Sequence, residues 1–344
     1  MSIPARNNFD HLRLFLAICV FLFHTAELTQ LNDFMFLKDF INVTVAVHSF
    51  FIVSGFLIFM SYERSTSLKS YFVKRLRRIA PGYIVVVVTL FLALSLLSTL
   101  PLGEYFSSGD SWRYLFANLT TLNFLHPGLP GVFEEHHWTA VDGSLWTIKV
   151  EIAFYLSVPI IAFFYRWFKP VYVLSALFVA STLYFYGMGM LSQHYQSYLL
   201  YMLQHQLPGQ LLIFSGGALL YYYFDLFKKY RHQLFIVAVI VYASQSVVSI
   251  YPLYALSLSI IVIYLATALT YLGHIAKYGD LSYGIYIWHF PLIQIFIALG
   301  FFTSKVWFGF AGLSLLVLTA AWLSWHLIEK PFLSKKSHYV QENR

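Results

Sequence analysis

The chain's 344 residues are 59% hydrophobic, 20% aromatic and only 11% charged, with a net charge of +7. A mean hydropathy of +0.67 excludes an ordinary soluble enzyme and predicts an all-α, polytopic membrane protein. The single cysteine, Cys19, excludes an intramolecular disulfide and a cysteine-held metal cluster.

Apolar stretches close to the roughly 20 residues that span a bilayer fall at about 12–31, 43–62, 82–100, 144–165 and 171–187. Five more follow at about 207–224, 233–250, 252–272, 281–302 and 306–327, so about ten transmembrane helices are expected. These runs cover the whole chain, which predicts one domain over 1–344 with a basic cytoplasmic tail from about 329. Of the 22 Lys and Arg, seventeen fall in loops on one side and three, Lys38, Arg113 and Lys305, on the other. That bias places both termini in the cytoplasm, and it explains the positive charge without nucleic acid as a partner. Between the third and fourth spans, "SWRYLFANLTTLNFL" and the polar "EEHHWTAVDGS" predict an interfacial or re-entrant helix beside an external vestibule.

In the first span, "RLFLAICVFLFH" opens with Arg13 and closes with His24. Eleven residues make almost three helical turns, so the two groups share a face about 16 Å apart along the axis. Ionisable groups inside a membrane are costly and mark function, although a snorkelling arginine and a packed histidine are the alternatives. Glu151, in "GSLWTIKVEIAFYLSVP", falls at a depth similar to that of His24 and suits either a general-base pair with it or a structural link between helices. Glu27, three residues after His24, is a rival partner. The run "YFVKRLRRIAPGY" holds Lys74, Arg75, Arg77 and Arg78, which either orient the chain against lipid headgroups or bind a phosphorylated cosubstrate. Ser54 and Gly55 in "FFIVSGFLI" predict close helix packing, and His289 in "LSYGIYIWHFPL" is a further intramembrane histidine.

In this order, and with "HLIEKPF" near the end, these segments closely resemble the membrane acyltransferase 3 family over about residues 9–332. The resemblance implies about ten helices in the bacterial inner membrane that carry an acyl group from cytoplasmic acetyl-CoA, or another donor such as a succinyl thioester, to a carbohydrate hydroxyl. O-antigen, capsule and exopolysaccharide are the acceptors it brings into view. It further implies that Arg13 and His24 are essential, that Arg75 and Arg78 belong to the donor site, and that Glu151 is functional. On that basis His24 is expected as general base with Glu151 orienting it, and Arg13, Arg75 and Arg78 are expected on the CoA phosphates. Trp146, His289 and Ser54 are expected at the substrate, and no metal is. The chain looks like a stand-alone member without an SGNH-type domain, and Lys149 departs from the family pattern where an uncharged residue is expected. The rival from another class is a transporter or flippase for a lipid-linked sugar.

Overall fold

The computed structural model describes residues 6–334, whose regular elements are all helical, with no β-strand among them. In chain order the helices are α1 (Phe9–Thr29), α2 (Asn32–Phe40), α3 (Val43–Glu63), α4 (Leu68–Ala93), α5 (Leu102–Ser107) and α6 (Gly109–Leu119). There follow α7 (Trp146–Phe164), α8 (Pro170–Tyr195), α9 (Tyr198–Gln204), α10 (Leu207–Tyr222) and α11 (Phe224–Ser244). The last four are α12 (Tyr251–Thr267), α13 (Leu281–Ala298), α14 (Val306–Leu323) and the short α15 (Lys330–Phe332).

Among the described residues, seven segments are long and apolar enough to cross a bilayer: Phe9–Thr29, Val43–Glu63, Leu68–Leu96, Gly143–Phe164, Pro170–Tyr195, Leu281–Ala298 and Val306–Phe332. The chain is a multi-pass membrane protein. The three remaining expected spans coincide with α10, α11 and α12, but α10 has 16 residues, α12 has 17, and α11 opens on the charged run "FDLFKKYRH". The stretch read as an interfacial helix is α6, which Ser108 caps by accepting from the Asp110 amide.

The described residues form two compact units, one of residues 6–12, 47–72 and 150–273, the other of 13–46, 73–149 and 274–334. The first is packed through very close helix approach. A Cβ at Gly55 would overlap the Phe214 carbonyl, and one at Gly217 would overlap that of Ile52, so only glycine lets α3 and α10 cross there. Beside that crossing the Phe154 and Phe214 rings stack at 4.2 Å. His48 is buried in the same unit and bonds the Tyr254 hydroxyl through Nδ1 at 2.9 Å.

In the second unit the ends of several helices are tied by polar side chains. Gly279 has φ +118°, a backbone conformation that favours glycine, and a Cβ there would strike the Trp325 indole. That turn delivers Asp280 to the N-cap of α13, where its Oδ1 accepts from the Ser282 amide and hydroxyl. The chain beyond α14 continues as one π-helical turn, Ser324–Glu329. Pro331 lacks the N–H that would bond the Leu327 carbonyl, so the regular ladder has to change there. The remaining basic residues expected in the tail, Lys335, Lys336 and Arg344, lie outside the described residues.

Candidate active site

The second unit carries two polar clusters, one at each end of the Arg13–His24 ruler. At the arginine end, Asp280 Oδ2 accepts from Arg13 Nη1 at 2.9 Å and from Arg78 Nη2 at 2.5 Å. Arg78 Nη1 donates to Glu329 Oε2 at 2.9 Å, and the Ser324 hydroxyl donates to the other Glu329 oxygen at 2.9 Å. The Ser324–Glu329 bond spans five residues, which the π-turn makes possible by setting residues i and i+5 side by side. Arg78, Asp280 and Glu329 are all buried, and the Arg78 guanidinium lies over the Tyr283 and Trp325 rings.

Burial would raise the Asp280 carboxyl, but the charges of Arg13 and Arg78 and the bonds from Ser282 hold it well below the usual carboxylate range. Two guanidinium groups thus face two carboxylates, and each charge has a partner, as burial requires. This alters the expectation that Arg13 and Arg78 act as open phosphate ligands. Their charge is already met by carboxylates, and Arg78 is 8% exposed. Arg75, one turn earlier, is half-buried, while Lys74 and Arg77 are exposed.

At the histidine end, His24 Nδ1 and His289 Nε2 are 2.8 Å apart, and the two ring planes are inclined at 17° to each other. His289 Nδ1 lies 3.1 Å from the Ile285 carbonyl oxygen. His289 is fully buried whereas His24 is half-buried, so of the two it is His24 that keeps accessible surface. The Phe290 ring meets His24 edge-on at 5.4 Å and fixes its other face. A Cβ at Gly143 would touch Phe290, which explains the glycine in the turn before α7.

A strap between α6 and α7 is fastened beside this pair. Buried Gln294 accepts from His136 Nδ1 at 2.8 Å, and its amide nitrogen donates to the carbonyls of Trp138 and Ala140. Trp138 Nε1 donates to Glu27 Oε1 at 3.3 Å, while Lys38 donates to Glu27 Oε2 at 2.6 Å. Glu27 therefore anchors the strap and is not the partner of His24 that its spacing offered. The strap ends at Asp142, whose Oδ1 accepts twice from Ser144. Asp142 Oδ2 is buried with no hydrogen-bond partner among the described residues, and burial pushes this carboxyl up to about 7 against the Ser144 bonds.

Glu151 belongs to the first unit, where Oε1 accepts from the Tyr155 hydroxyl at 2.6 Å. Ser54 is half-buried in the first unit beside the Gly55 crossing, and Trp146 is half-buried where α7 begins. Lys149 rests its ammonium on the Phe124 ring at 4.3 Å, which accommodates the charge the family pattern lacks. Sequence reasoning passed over Asp280, Glu329, Gln294 and Asp142. Asp280 had a legible signal, an Asp-x-Ser cap before an apolar run, and Glu329 lay two residues beyond the last expected span.

The acyltransferase-domain profile of the acyltransferase 3 family matches residues 6–326. The chain belongs to that family. It is 29% identical to nodulation protein 10 of Rhizobium leguminosarum bv. viciae, over 97% of this chain and 95% of that protein. It is 27% identical to the O-acetyl transferase of Shigella phage Sf6, over 96% of this chain and 97% of that one. No solved structure matches it. As a family member the protein is a membrane acyltransferase.

Proposed function

We propose that this acyltransferase moves an acetyl group from cytoplasmic acetyl-CoA to a hydroxyl of a carbohydrate on the far side of a bacterial inner membrane. The observation that carries the proposal is the half-buried His24, held by His289 about 16 Å along α1 from a cluster of basic residues. That offset suits a thin pantetheine arm running between phosphates at one surface and a thioester at the other end. The full-length match to an O-acetyl transferase supports the choice of acetyl and of a hydroxyl acceptor.

In the proposed reaction the acceptor hydroxyl gives its proton to His24 as its oxygen bonds to the acyl carbon. The carbon–sulfur bond then breaks, and the CoA thiolate takes the proton back from His24. Arg13 and Arg78, fixed by Asp280 and Glu329, hold the helix ends around the donor. Attraction of the CoA phosphates falls mainly to Lys74, Arg75 and Arg77, because the four-charge network is neutral overall. The strap presents Trp138, 46% exposed, and the two adjacent histidines at the His24 end, where an aromatic face suits a sugar ring.

The test is incorporation of label from [14C-acetyl]acetyl-CoA into the extracted surface polysaccharide of expressing cells. Mass spectrometry of the glycan then identifies the modified hydroxyl and separates O-antigen, capsule and exopolysaccharide. No CoA release with any glycan, alongside sugar translocation by purified protein, would overturn the proposal. Succinyl-CoA in a parallel reaction decides the acyl group.

A further inference from the structure

We propose that His289 is a positioning residue that sets the tautomer of His24 and so makes its Nε2 the base; this rests on the role of His24 proposed above. The argument is one of donors and acceptors along a short chain. The Ile285 carbonyl can only accept, so the proton of neutral His289 sits on Nδ1, 3.1 Å away. His289 Nε2 is then a lone pair. At 2.8 Å from it, His24 Nδ1 must be the donor, and the remaining His24 nitrogen, Nε2, is left with the lone pair.

Burial makes this assignment one-sided. The reverse arrangement would put a proton on His289 Nε2 and leave the His289 Nδ1 lone pair against the Ile285 oxygen, with no solvent to intervene because His289 is fully buried. With the two nitrogens 2.8 Å apart the ring centroids stand 5.1 Å apart, so the rings meet nitrogen to nitrogen rather than face on face. Phe290 against His24 and the T-shaped Phe21 against His289 prevent either ring from turning away.

When the acceptor's proton arrives at His24 Nε2, the imidazolium keeps its Nδ1–H bonded to a neutral acceptor. A carboxylate at that position would hold the proton more tightly. A second imidazole orients the base without locking it in the charged form, so the thiolate can recover the proton as CoA leaves. His289, expected from its sequence position as a substrate contact, thus acts through His24.

The experiment compares His289→Leu and His289→Gln with the parent protein in detergent, using acetyl-CoA and surface polysaccharide extracted from non-expressing cells. Loss of the acceptor in His289→Leu is expected to lower kcat by about 10²-fold with KM for acetyl-CoA within about twofold, the size associated with a mis-set base. His289→Gln, whose amide oxygen can take the His24 Nδ1–H, is expected to recover most of kcat. In 15N-histidine spectra, the His24 Nε2 signal should be of the lone-pair type in the parent and in His289→Gln, and mixed in His289→Leu. Equal kcat in His289→Leu and the parent, or equal loss in both variants, overturns the inference. Transfer retained by His24→Ala would instead sink the underlying role of His24, so the two failures are distinguishable.

Discussion

The two ends of the Arg13–His24 ruler solve opposite problems with the same kind of residue. At the arginine end every charge is met by an opposite one, the carboxylates carry extra bonds from Ser282 and Ser324, and Arg78 is sealed under two aromatic rings. At the histidine end the chain of bonds starts at a backbone carbonyl and finishes on His24, a half-buried residue with one ring nitrogen outside that chain. A closed network gives rigidity, because removing any member strands a buried charge. An open-ended one leaves a reactive atom whose protonation can change.

Substitutions at the two ends should therefore fail differently. The largest effect is expected for His24→Ala, which should reduce label transfer by about 10²–10⁴-fold while leaving the thermal unfolding midpoint within a few degrees. A comparable activity loss caused only by unfolding would erase the contrast. Arg78→Ala should do the reverse and destabilise the protein by about 3–5 kcal/mol, read as a fall in melting temperature in detergent. Glu329→Gln, which keeps a hydrogen-bond acceptor for Arg78, should cost less than Arg78→Ala.

The strap supplies smaller and more selective tests. Burial pushes the Asp142 carboxyl from 3.8 up to about 7 in the folded state, so the folded state is expected to bind more protons in that window and stability to fall as pH rises through it. Asp142→Asn should abolish that slope and be more stable than the parent above about pH 7, by at most about 4 kcal/mol. Parallel melting curves between pH 5 and 8 would contradict the buried, unpartnered carboxyl. Asp280 has the opposite sign: its depressed value adds stability above the ordinary carboxylate range, which is lost as pH falls below it. Gln294→Ala should cost about 1–3 kcal/mol by stranding its partners. It should expose residues 133–141 to protease and raise KM for the acceptor more than it lowers kcat.

Much of this was legible without coordinates. Hydropathy determined the membrane class, since 59% hydrophobic residues in long runs have no other solvent to face. The near-integral number of turns between Arg13 and His24 determined that they share a face. The helix crossing at Gly55 also followed from its local sequence, because a missing side chain constrains packing wherever the partner lies.

What the sequence left open were the partners. For His24 the sequence offered Glu151 and Glu27 as partners, and periodicity did not point to His289. Distance decided it, and His289 is 265 residues away. Likewise nothing local shows that Arg78 meets Asp280 and Glu329, 202 and 251 residues downstream, or that a π-turn rotates Glu329 inward. Helical phase is fixed by backbone geometry and can be read from one segment. A buried charge or a tautomer is fixed by whichever group the fold brings within 3 Å, and only the tertiary structure contains that information.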